Sequence, residues 1–170
     1  FSKKDYAIGN CLPAGKINFD LSTVTAAQKL LVEVIVKGTK YHNEWNVWVY
    51  PSDLQAEAND VVITTSVNEA LSALDNGKKV LLCPLPDTLK GIEGKFVPVF
   101  WSPVHFPDQP GTMGLLVNSK HKALADFPTE NYSNWQWWDL TIKSKTLKVP
   151  DVPEEAIIVR VIDNFVRNQS

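Results

Sequence analysis

Three histidines and two cysteines in 170 residues leave little material for a metal centre. His42, His105 and His121 stand in separate segments with no HxH or HExxH spacing, and Cys11 and Cys83 belong to no CxxC pair. A structural zinc site needs about four ligands, so no metal site is expected and the histidines read as surface or hydrogen-bonded groups. The flanks of the two cysteines differ in character, which favours two small buried hydrophobes over a disulfide. Excess charge is scarce as well. Seventeen Lys and Arg against nineteen Asp and Glu give a net charge of −2, which argues against a nucleic-acid surface. No apolar run reaches the roughly 18 residues that span a bilayer, so no membrane partner is expected. The opening FSKKDYAIGN lacks the apolar stretch of a signal peptide, although mature secreted proteins lack one too. The apolar run at Val61 leads into Thr64-Thr65-Ser66-Val67 and not into a glycine-rich phosphate loop, so no nucleotide cofactor is expected.

What is present is ordinary globular material, 44% hydrophobic and 21% charged, enough for one full domain or two small ones. Lys29 to Gly38, KLLVEVIVKG, alternates Leu30, Val32, Val34 and Val36 with Lys29, Glu33 and Lys37, the period of a half-buried antiparallel strand. Trp45 to Tyr50, WNVWVY, is a second β-rich run, and Gly15 to Ser22 is a plausible third. Residues 1–50 therefore read as part of an antiparallel β-sandwich.

The pattern changes at Pro51. Val61 to Thr64 is a short apolar strand, and Ser66 with Glu69 forms a capping-box signature before Val67, Ala70, Leu71 and Leu74, which share one helical face. Asn76-Gly77 ends that helix, and Val80 to Cys83 is apolar on both faces. A strand, an amphipathic helix and a fully apolar strand predict a βαβ unit, hence an α/β domain with a mainly parallel sheet over residues 51–170. Prolines keep Phe96 to Val104 out of any regular interior strand. Thr112 to Val117 fits a short helix or a strand. Gln136 to Lys143 predicts a strand, as do the β-branched residues of Ile157 to Ile162. Few strands on either side of Pro51 point to a segment of a longer protein.

Candidate chemistry is thin. Glu44, in His42-Asn43-Glu44-Trp45, sits in a hairpin far from any scaffold for a glycosidase carboxylate pair. Cys83 follows a sheet strand, as a nucleophile would, but Pro84 and Pro86 stand where an elbow needs small residues. The tryptophans are the stronger signal: NYSNWQWWDLTIK carries Trp135, Trp137 and Trp138 within four positions. Exposed indoles stack on sugar rings, so Trp101, Trp135, Trp137 and Trp138, with Asn134 and Gln136 as hydrogen-bonding partners, form a candidate oligosaccharide site. Tryptophan also favours cores and interfaces. In a strand, Trp135 and Trp137 would face opposite to Gln136 and Trp138. Packing, including packing between domains, is the favoured reading.

The string GTKYHNEWNVWVYP (Gly38 to Pro51) resembles the closing strands of an immunoglobulin-like domain in family 2 glycoside hydrolases, the β-galactosidase and β-glucuronidase group, in Bacteroidetes. FVPVFWSPVHF, the long string from Thr112 to Leu140, and VRVIDNFVRN resemble the domain that follows, similar in layout to glutamine-amidotransferase-like, flavodoxin-like folds. The resemblance implies an accessory C-terminal region of a carbohydrate-cleaving glycosidase. That region would be non-catalytic, packed against other domains of the parent enzyme or forming a homo-oligomer interface, with a periplasmic or exported location. A carbohydrate-binding module is the alternative, and an amidotransferase-like hydrolase with Cys83 as nucleophile is a third. In amidotransferases that cysteine lies in a glycine-flanked elbow, from which Leu82-Cys83-Pro84 departs.

Overall fold

Alternation of apolar and polar residues along Lys29 to Val36 produces the longest paired element of the chain. A computed structural model describes residues 4–54, 60–98, 102, 104–106, 109, 111–149 and 151–165. In it β1 (Gln28–Ile35) and β2 (His42–Val49) form an antiparallel hairpin, with Val32 opposite Trp45 and Leu30 opposite Val47. Gly38, at φ 80°, takes the left-handed turn that a β-branched residue would resist. Leu30, Val32 and Val34 are half-buried, while Lys29, Leu31, Glu33 and Ile35 stay exposed.

The βαβ unit forms as expected. Strands β3 (Val61–Thr64) and β4 (Lys79–Leu82) pair in parallel around helix α1 (Val67–Asp75). The Ser66 hydroxyl caps the helix by accepting from the Glu69 N–H at 3.4 Å. The reciprocal half of the box is absent: the Glu69 carboxylate takes the Thr64 hydroxyl instead, and the Ser66 N–H donates to Thr64 Oγ1 at 3.0 Å. At the other end Gly77 N–H bonds Leu74 O at 2.8 Å and Lys78 N–H bonds Ala73 O at 3.0 Å, a Schellman closure with Gly77 at φ 70°.

The third pair is antiparallel, β5 (Gly114–Val117) with β6 (Val159–Ile162). Thr112 to Val117, open between helix and strand by sequence, is thus a strand from Gly114, and the strand expected near Ile157 to Ile162 forms from Val159. Helix α2 (Trp135–Thr141) precedes β6. Leu115, Val117 and Trp137 make the buried cluster, with Phe96, Leu124, Phe127, Val159 and Val161 packed around it. Among the described residues the architecture is a small mixed α/β arrangement of three two-stranded sheets.

Three expectations need correction. Gly15 to Ser22 is not a strand; no described residue pairs with it, Asp20 caps the Ser22 N–H, and Ile17 and Phe19 stand exposed. The strand expected at Gln136 to Lys143 is helical to Thr141, because Asn134 caps a turn that puts Trp137 over the core. Cys11 and Cys83 are free and exposed, not buried, since Cys83 lies just past β4. Much of Phe96 to Val104, including Trp101, falls outside the described residues; Phe96 forms one isolated bridge with Thr112.

Apolar surface is left over. Val67, Leu71 and Leu74 of α1 remain more than half exposed, and only Ala70 of the helix is buried. On the sheet face away from α1, Ile63 and Leu81 pair side by side and are also more than half exposed. A parallel sheet is ordinarily covered on both faces.

Candidate functional site

The aromatic cluster forms where the β1–β2 hairpin meets α2. A helix places Trp137 and Thr141 one turn apart, and the Thr141 hydroxyl donates to Trp137 O at 2.7 Å. Asn134 opens the helix, its side-chain oxygen accepting from the Gln136 N–H at 3.1 Å. Trp137, 7% exposed, lies edge-on to Phe127 at 5.2 Å and 74°, and its indole N–H donates to Thr129 Oγ1 at 2.8 Å. Trp138 meets Phe96 edge-on at 5.5 Å and 82°. Tyr50, just after β2, stacks on Phe127 at 6.2 Å and donates its hydroxyl to Gln136 Oε1. Gln136 Nε2 in turn donates to Pro128 O at 2.9 Å.

A charged strap joins the same two elements. Lys29 of β1 reaches Glu130 at 2.5 Å, and Asn134 Nδ2 donates to the other carboxylate oxygen of Glu130 at 2.6 Å. Burial, the largest single influence, pushes the Glu130 carboxyl up, but the bonds from Lys29 and Asn134 together outweigh it and hold the group below its ordinary value. The bond to Glu130 raises the Lys29 ammonium, against a smaller opposing effect of desolvation. Burial raises the Tyr50 phenol.

The six residues singled out by sequence therefore separate. Asn134 is a helix cap, Gln136 a bridge to Tyr50, Trp137 a core residue and Trp138 a partner of Phe96. Of the five that are described, Trp135 alone presents an open indole, 77% exposed, with Tyr132 at 57% three residues upstream. Trp101 lies outside the described residues. The sequence reading missed Lys29, Tyr50, Phe127, Thr129 and Glu130, which are scattered over a hundred positions. The Asn134 cap was the one local signal that could have found the helix.

The polar groups of this cluster are engaged with one another. Both carboxylate oxygens of Glu130 are engaged, one by Lys29 and the other by Asn134. No histidine or carboxylate hydrogen-bonds the exposed Cys83 thiol among the described residues. Nor do three His, Cys, Asp or Glu side chains gather there as metal ligands. A surface hollow of about 510 Å³ beside β5 and β6 is lined by Leu116, Asn118 and Ile157, with Glu154 and Arg160 paired to each other at 3.4 Å. No helix among the described residues is long and apolar enough to cross a membrane.

The chain belongs to a family described as a domain of unknown function (DUF8487), which matches residues 61–170. A second domain of unknown function (DUF8488) matches residues 1–51. No curated protein matches the chain.

Proposed function

We propose that this chain is a non-catalytic packing module, an accessory piece of an exported or periplasmic glycoside hydrolase that lies against neighbouring domains or a further copy. The observation that carries the reading is the uncovered apolar surface: Ile63 and Leu81 on one side of the β3–β4 pair, and Val67, Leu71 and Leu74 on the other. Exposed apolar patches of this kind mark protein–protein contact. The flavodoxin-like layout belongs to the same proposal, supported by the parallel β3–α1–β4 unit, to which further strands and a covering layer would be added. The glycosidase context rests on the likeness of Gly38 to Pro51 and of the later strings to family 2 enzymes. Its partners are protein surfaces; it has no cofactor of its own.

A second reading, carbohydrate binding, is favoured by one observation, the open indole of Trp135 beside the exposed Tyr132. Titrating oligosaccharides while following tryptophan emission separates the two. The packing module gives no saturable shift with any member of a broad panel and releases no sugar. A saturable shift abolished by Trp135→Ala would replace this reading with the second.

A further inference from the structure

The β1–β2 hairpin ends in two unpaired edges among the described residues, and the β1 edge is self-complementary. We infer that β1 pairs antiparallel with β1 of a second copy about a twofold axis at Leu31, joining two hairpins into a four-stranded sheet. The inference rests on the packing reading and names one of its partners.

Backbone parity comes first. The Val36 N–H bonds Tyr41 O at 2.9 Å, and the β1–β2 ladder continues from that pair. Alternation along an antiparallel ladder then turns the even-numbered residues of β1 toward β2. Lys29, Leu31, Glu33 and Ile35 therefore direct their N–H and C=O groups outward. A twofold at Leu31 sets Leu31 against its own copy and Lys29 against the second copy's Glu33, so both of these pairs join residues whose backbone groups are free.

Charge and strand length together select this register: an axis at Ile35 would also set Glu33 against an opposite charge, Lys37, but Lys37 lies in the turn beyond β1 and few strand residues would then pair. Moving the axis to Glu33 would set Glu33 against Glu33 and Lys29 against Lys37. Moving it to Val32 or Leu30 brings no opposite charges face to face. Within its own hairpin Glu33 sits directly opposite Glu44, a like-charge pair that costs stability. A second copy's Lys29 on the free side of Glu33 offsets that repulsion, twice over by symmetry. Lys29 already meets Glu130 of its own chain at 2.5 Å, and an ammonium with three N–H donors serves both carboxylates. On the other face Leu30 comes opposite the second copy's Val32, extending the half-buried apolar stripe across the junction. A lone lysine usually blunts an exposed edge; Glu33 four residues on turns this one into a template for itself.

The test is the mass of the full chain against concentration by sedimentation, with Glu33→Lys, with the swap Lys29→Glu/Glu33→Lys, and with Leu31→Cys in a Cys11→Ser/Cys83→Ser background. The expected results are a dimer, a dissociation constant raised roughly tenfold or more by Glu33→Lys, recovery in the swap, and an oxidative cross-link through position 31. Circular dichroism confirms that each variant remains folded, and the cross-link reads the pairing without a charge change. A chain monomeric up to about 1 mM overturns the inference. A dimer indifferent to Glu33→Lys that gives no cross-link also overturns it, because it uses another face; the packing reading survives either result, since it stands on the apolar faces of the β3–α1–β4 unit and is tested separately.

Discussion

Removing the indole of Trp137 should separate structure from binding more sharply than any other substitution. The ring is 7% exposed, packs on Leu115 and Val117, lies edge-on to Phe127, and donates to Thr129 at 2.8 Å. Replacing a buried tryptophan with alanine costs about 3–5 kcal/mol through lost transfer energy and the cavity left behind. Small domains have net stabilities near the low end of about 5–15 kcal/mol, so this variant retains only a fraction of its stability. With a urea slope near 2 kcal/mol per molar, the midpoint should fall by roughly 1.5–2.5 M at unchanged slope. Trp137→Phe keeps a ring against Phe127 but loses the donor to Thr129, and should cost about 1–2 kcal/mol. Trp135→Ala, at an open position, should stay within about 0.5 kcal/mol of the parent. Urea unfolding followed by circular dichroism measures all three. Equal losses at 135 and 137, or a negligible loss at 137, would refute the assignment of these indoles.

Three further outcomes follow from the geometry. Glu130 ionises below its ordinary value of 4.5 in the folded chain, so it contributes stability above that pH and loses it as pH falls through the lower folded value; Glu130→Gln should flatten this acid limb in unfolding measured against pH. A Cβ at Gly91 would lie 1.8 Å from Thr146 O, so Gly91→Ala should break the Ile92–Thr146 pairing and lower the urea midpoint, whereas Gly38→Ala meets open space and costs only about 1–2 kcal/mol for its left-handed backbone. Native-state alkylation followed by mass spectrometry should modify both Cys11 and Cys83, and protection of Cys83 would contradict its exposed place past β4.

The local signals in the chain are legible where one element decides its own form. The alternation of Lys29 to Val36, the Ser66 cap, the Asn76-Gly77 stop and the apolar run after Lys79 each produced the element expected of them. Strength of propensity misled at Trp135 to Thr141, where aromatic and β-branched residues favour a strand in isolation. There the Asn134 cap and the burial of Trp137 against β5 won, as tertiary packing commonly does over propensity. Gly15 to Ser22 has strand-like residues but no partner among the described residues, and a strand without a neighbour does not persist. The hairpin-to-α2 junction was illegible for a different reason. Lys29 and Glu130, or Tyr50 and Gln136, meet only after the chain folds, and nothing in their local sequence announces the pairing.

The claim on which the rest depends is that the apolar faces of the β3–α1–β4 unit are meant for another protein surface. Binding of the dye ANS to the native chain measures this directly. Bright, saturable fluorescence that falls in Ile63→Ser/Leu81→Ser, with secondary structure retained, is the predicted result. A native chain that leaves the dye dark, or a signal untouched by those two substitutions, would contradict it.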